Sequence, residues 1–205
     1  MAQSLAVFGV LLLLGGAIGC GGEEGISPAP QPDLSYVGLV EGSDARVAVV
    51  EDGEDLVAYL CGGPTSFATL TRWFRAPLPE QGSSFRLEKD GVVIEGTIDE
   101  GLAEGEVEAP DGTRLAFHAE ATPRGDLAGL YGAEDEGCMT GVIVTPAAPG
   151  EEPLVQGTWC SASGSRAQVI PILPAQLQPR GIEVRVVVGA ETRHLFVTPI
   201  RPQIP

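Results

Sequence analysis

Four cysteines, two histidines and a surplus of carboxylates are the residues of this 205-residue chain with chemistry to offer. A thiol nucleophile needs a base to take its proton, and only His118 and His194 could serve. Cys61 closes the run Val57-Ala58-Tyr59-Leu60-Cys61, where it reads more simply as a small buried hydrophobe. No HExxH, CxxC, GxSxG or phosphate-loop pattern occurs, and two histidines leave little for a zinc site or a histidine-assisted serine. Paired carboxylates alone can hydrolyse glycosides. With 26 acids between residues 20 and 152, however, close pairs arise by chance. The acidic runs Glu51-Asp52-Gly53-Glu54-Asp55, Asp99-Glu100 and Glu134-Asp135-Glu136 lack the alternating ligand spacing of a calcium loop. Their expected role is to keep sheet edges from associating. Trp73 and Trp159 are surfaces a ligand site would use, although two tryptophans in a β domain are more often core. The residues thus predict no catalytic set, no metal site and no cofactor, and leave the ligand-binding residues unknown.

The elements that must carry these residues read almost wholly as strands. Apolar residues alternate with period two and turn signals recur at short, regular intervals, the pattern of an antiparallel sandwich or barrel. One hairpin can be read down to its register. In Ala103-Glu104-Gly105-Glu106-Val107-Glu108 the glutamates share a face, and in Arg114-Leu115-Ala116-Phe117-His118-Ala119-Glu120 the apolar face is Leu115, Phe117 and Ala119. Matching apolar to apolar pairs Val107 with Leu115 and Gly105 with Phe117 across a type I turn at Pro110-Asp111-Gly112. Glu108 then faces Arg114, and Glu104 faces His118, so His118 is expected to be a surface residue beside a carboxylate.

Residues 45–50 and 56–61 are mostly apolar on both faces, which predicts a hairpin lying centrally. Residues 85–88 and 92–98 continue the meander through Asp90-Gly91, residues 36–41 open it and residues 139–144 close it. Residues 65–74 fit a short helix through Phe67, Leu70 and Phe74, or the start of a strand at Arg72-Trp73-Phe74-Arg75. The expected fold is all-β: an antiparallel meander forming a small barrel or sandwich over 35–145, a linker at 146–154 and a Pro-rich C-terminal β segment over 155–205. Four further strands are expected in that segment, at residues 155–160, 166–170, 182–188 and 194–198. Its prolines are expected to confine them to edges or a loose small sheet.

The net charge of −16 is unevenly placed. Residues 20–152 carry 26 acids against 7 bases, whereas residues 153–205 carry 2 acids and 5 arginines. An acidic main domain argues against nucleic acid as a partner and against binding anionic lipid headgroups through that domain.

At the other end, the apolar stretch Leu5 to Ile18 is fourteen residues long, short of the ~20 needed to cross a bilayer. It leads through Ala17-Ile18-Gly19 into Cys20, which resembles the lipobox of bacterial lipoproteins, with Ala17 where leucine is usual. An ordinary secretory signal is the plainer alternative. The lipobox resemblance implies a signal peptide over 1–19, palmitate-type acylation of Cys20, a tether over 20–34 and a cell-envelope location. Gly21, in place of the aspartate that retains lipoproteins at the inner membrane, implies the outer membrane. Disulfides persist in such a compartment. Cys61, Cys138 and Cys160 allow three pairings, of which Cys138 with Cys160 is favoured because it ties the C-terminal segment back across the Pro-rich break.

Tyr36-Val37-Gly38-Leu39-Val40-Glu41-Gly42-Ser43-Asp44-Ala45-Arg46-Val47-Ala48-Val49-Val50, with Ala58-Tyr59-Leu60-Cys61 and Trp73-Phe74-Arg75, resembles an uncharacterised domain of secreted and lipid-anchored bacterial proteins, over residues 36–145. That resemblance brings no activity with it. The expected function is a non-enzymatic, lipid-anchored envelope protein, held to the membrane through Cys20 and binding an envelope protein partner. The alternatives are a small-ligand carrier barrel, which needs an interior cavity, and a carboxylate hydrolase, which needs two acids of separated pKa in one cleft.

Overall fold

Alternation, turn chemistry and two-sided apolar runs become fourteen strands and one helical turn in the computed structural model, which describes residues 35–200 apart from 53–54, 79–83, 124–125, 136 and 147–150. These lie in one compact unit, Pro32–Pro205. The expected signal, Cys20 and the expected tether fall outside the described residues.

The first sheet contains β1 (Ser35–Val40), β2 (Arg46–Asp52), β3 (Asp55–Cys61), β4 (Arg72–Pro77), β5 (Ser84–Lys89), β6 (Val92–Asp99), β7 (Leu102–Glu108) and β8 (Arg114–Thr122). Its order is β4-β3-β2-β1-β8-β7-β6-β5, with every described pairing antiparallel. The chain thus goes up and down through eight strands, β1 closes onto β8, and β4 and β5 approach each other across a seam without ladder hydrogen bonds. The seam lies between sequence neighbours.

The β7–β8 hairpin has the register that apolar matching predicts: Val107 opposite Leu115, Gly105 opposite Phe117, Glu108 opposite Arg114 and Glu104 opposite His118. Gly112 takes φ +84° and donates its N–H to the Ala109 carbonyl at 2.9 Å, closing the expected turn. Arg114 bonds Glu108 at 2.8 Å. At the β5–β6 connection, Asp90 and Gly91 both have positive φ, +49° and +75°, the geometry that suits a two-residue hairpin to the strand twist. The ambiguous stretch resolves as both readings in turn: α1 (Phe67–Leu70) is a single helical turn, and β4 follows at once.

The remaining strands are β9 (Gly129–Asp135), β10 (Cys138–Thr145), β11 (Leu154–Cys160), β12 (Arg166–Pro171), β13 (Ile182–Val188) and β14 (Glu191–Pro199). They close into a six-stranded barrel in the order β10-β11-β12-β13-β14-β9. Here two expectations change. Residues 139–144 do not close the first meander but pair with β9 and β11, and the Pro-rich break is the connection within a hairpin whose last pair is Thr145 with Leu154. Nor are the C-terminal strands a loose edge sheet. Pro171 and Pro199 terminate β12 and β14, where a missing N–H costs the ladder little, so the barrel closes through Thr198 opposite Gly132 and Pro199 opposite Tyr131.

Three apolar cores follow from this arrangement. Tyr36, Val47, Val49, Leu56, Leu60, Phe74, Phe85, Ile94 and Phe117 fill the interior of the first sheet. Tyr131, Val142, Trp159, Val184 and Val197 fill the barrel. Between the two, Val37, Ala48, Val50, Val57, Tyr59 and Cys61 from β1–β3 meet Leu130 and Ile143 of the barrel. This explains the two-sided apolar pattern of β2 and β3: one face looks into the first sheet, the other is covered by the barrel.

Candidate functional site

Most of the chemistry-bearing residues turn out to be structural. Cys138 and Cys160 form a disulfide that ties the start of β10 to the end of β11. Cys61 is a free, fully buried thiol, its Sγ 3.7 Å from Thr158 Oγ1, and burial pushes its pKa up. A thiol held protonated is a poor nucleophile. Neither histidine pairs with it: His118 Nδ1 lies 3.6 Å from Glu104, and His194 Nδ1 lies 2.9 Å from Glu183 on the neighbouring strand. Trp159 is buried in the barrel under Arg193.

Two carboxylates have pKa values moved in opposite directions. Burial raises the pKa of Asp44, but hydrogen bonds from Ser66 and Thr65 outweigh it and bring the value down to about 2. Glu51 is pushed up by burial. Asp44 lies in the turn before β2 and Glu51 near the far end of that strand, five residues or roughly 17 Å beyond its start. They cannot share a cleft. Asp55 is taken by Arg75 at 2.7 Å. Among the described residues no group of three or more His, Cys, Asp or Glu is placed to hold a metal ion.

Two grooves among the described residues are each built around an arginine. Two buried side-chain polar atoms among the described residues lack a hydrogen-bond partner: Nε of Arg46 and Nε of Arg72. Arg46, half-buried at the start of β2, donates to Thr145 Oγ1 at 3.2 Å and lines a groove of about 370 Å³ with Val37, Leu39, His118, Glu41 and Glu120. There two glutamates oppose one guanidinium.

The second groove, about 270 Å³, lies where strand ends of the first sheet and the barrel meet. Arg72 opens β4, Lys89 ends β5 at the seam, and Asp90 follows in the tight turn. From the barrel come Cys138 and Met139 at the start of β10, Cys160 at the end of β11 and Arg166 at the start of β12. Three cations therefore face one carboxylate, in a chain whose acids outnumber its bases 28 to 12 and whose single lysine is Lys89. The Arg72 side chain is only 13% exposed. It donates to the Thr71 carbonyl at 2.7 Å, while its Nε is 3.5 Å from Asp90 Oδ2, too long for a hydrogen bond of normal strength.

An aromatic wall completes this groove. Trp73, half-buried, stacks on Tyr59 with ring centroids 4.3 Å apart, and its Nε1 donates to the Met139 carbonyl at 3.1 Å. A Cβ at Gly141 would lie 2.5 Å from the Tyr59 ring and 2.7 Å from that of Trp73, so the absent side chain is what lets β10 approach the stack. Of the two tryptophans weighed as ligand surfaces, Trp73 lines the groove and Trp159 is core. The cationic residues escaped sequence reading because Arg72, Lys89 and Arg166 are far apart in the chain and come from its oppositely charged parts. The signal that could have found them is the lone lysine beside an Asp-Gly turn. No family model, curated protein or solved structure matches the chain.

Proposed function

We propose that this protein is a lipid-anchored binding module of the bacterial cell envelope, non-enzymatic, held to the outer membrane through acylated Cys20 and recognising another envelope component through the groove lined by Arg72, Lys89, Arg166 and Trp73. One observation carries the reading: cations and an aromatic wall gather in an external groove of an acidic molecule, while both sheet interiors are packed with side chains. A carrier would use its interior, and a hydrolase would bring acids together. Fixed cations beside an aromatic ring suit recognition of an anion, which is held by charge and geometry.

The anchor is tested by metabolic labelling with palmitate and membrane fractionation of the native chain beside Cys20→Ser. The native chain should carry label and sediment with membranes, and the variant should be unlabelled and soluble. Equal behaviour of the two would refute the anchor. Crosslinking in the native envelope then tests the binding role. A stoichiometric envelope component should be recovered with the native chain and lost when Lys89 and Arg166 are both replaced by glutamine.

A further inference from the structure

We propose that the groove between the strand ends is a binding site for a phosphorylated ring compound, such as a sugar phosphate or the phosphorylated ring headgroup of a lipid. This rests on the reading of the groove as the recognition site, and not on the anchor at Cys20.

Three features select the ligand. The lining charges are those of Arg72, Lys89 and Arg166 against Asp90, two positive charges in excess. A phosphate monoester carries about −1.5 to −2 near neutral pH, which matches that excess better than a single carboxylate does. Second, Arg72 is held by the Thr71 carbonyl at 2.7 Å and its Asp90 partner is exposed and 3.5 Å away, so the guanidinium lines the groove without a close carboxylate and its charge is left to attract a phosphate. Third, Trp73 is fixed by Tyr59 and by the Met139 carbonyl, so the wall beside the cations is rigid and apolar, suited to the face of a ring. At about 270 Å³ the groove holds a single ring with its anionic group rather than a longer polymer.

Asp90 is the competitor. Its side chain is 63% exposed and it sits at φ +49°, a conformation that asparagine adopts readily. Asp90→Asn therefore removes the opposing charge while preserving the turn.

The test uses the full chain carrying Cys20→Ser, titrated calorimetrically with glucose 6-phosphate, glucose and inorganic phosphate. A second arm floats the protein with phosphatidylcholine vesicles, with and without phosphatidylinositol 4-phosphate. The expected result is binding of a phosphorylated ring, no binding of glucose, and phosphate weaker by about tenfold, the share of a ring contact worth about 1.4 kcal/mol. Lys89→Gln and Arg166→Gln should each weaken binding by about fivefold or more, and Asp90→Asn should tighten it. Binding in solution identifies a free sugar phosphate as the source, and binding to the phosphorylated vesicles alone identifies a headgroup; either supports the site. Failure of both probes at millimolar concentration overturns the proposal. So does phosphate binding as tightly as the ring compound, or an affinity unmoved by Asp90→Asn and Lys89→Gln together. Ligand binding alongside absent palmitate labelling would count against the anchor alone.

Discussion

Arg72 shows how a single residue can be costly to the fold and useful to the site. A guanidinium buried with an unpaired Nε forgoes part of its solvation, about 1–3 kcal/mol for such a group. Its bond to Thr71 and its long contact with a well-exposed Asp90 offset this only in part. Replacing a buried ion by an apolar side chain of similar length is often neutral or stabilising. Arg72→Met should therefore leave unfolding stability within about 1 kcal/mol of the native chain, or raise it, while removing ligand binding. Urea denaturation measures the first and calorimetry the second. A loss of more than about 3 kcal/mol would make Arg72 a structural residue. Arg46 repeats the pattern less sharply, because burial lowers its pKa but Glu41 and Glu120 line the same groove.

At the scale of elements, strands and turns were legible where local chemistry alone decides them. The β7–β8 register was readable because glutamates on one face and apolar residues on the other leave only one pairing that buries the right side. The helical turn and β4 were both visible in residues 65–74 but could not be ordered from periodicity, since Phe67, Leu70 and Phe74 fit helical spacing while Arg72-Trp73-Phe74-Arg75 also reads as the start of a strand. The β6–β7 turn was not legible: Asp99-Glu100 stood only as an acidic run, yet Glu100 and Gly101 both have positive φ, +46° and +87°. A glutamate in the left-handed region is strained relative to asparagine or glycine. Glu100→Asn should accordingly stabilise the protein by about 0.5–1 kcal/mol, read as a higher urea midpoint with an unchanged slope. No gain, or a loss, would mean that Glu100 contributes an interaction of its own.

For the whole molecule, the sequence announces an all-β chain but hides where one sheet ends and the next begins. Charge and proline content change near residue 150, and that compositional break suggested a linker between a domain and a tail. Pairing between strands ignores composition: β9 and β10 join the C-terminal strands, so the break is only a hairpin connection. The candidate site was illegible for the same reason, since its cations come from both sheets and meet only after the barrel closes against β1–β3. The disulfide was legible because it needed only three thiols and a topological argument. Cys138 and Cys160 are 22 residues apart. Opening a loop of that length costs about 3 kcal/mol of stability by chain entropy. Replacing both by serine should lower unfolding stability by about that amount, and reduction of the native chain should match the variant. A negligible effect would show that the β10–β11 pairing alone already fixes these strand ends.

The central claim is that recognition occurs in the groove walled by Trp73. Two tryptophans give two indole N–H signals in a proton–nitrogen correlation spectrum, one from the groove and one from the barrel core. Assigning them with Trp73→Phe and titrating the native chain with glucose 6-phosphate asks the question directly. The signal of Trp73 should shift to saturation while that of Trp159 stays in place. A titration that moves neither signal, or that moves Trp159 and leaves Trp73 unchanged, would contradict the account.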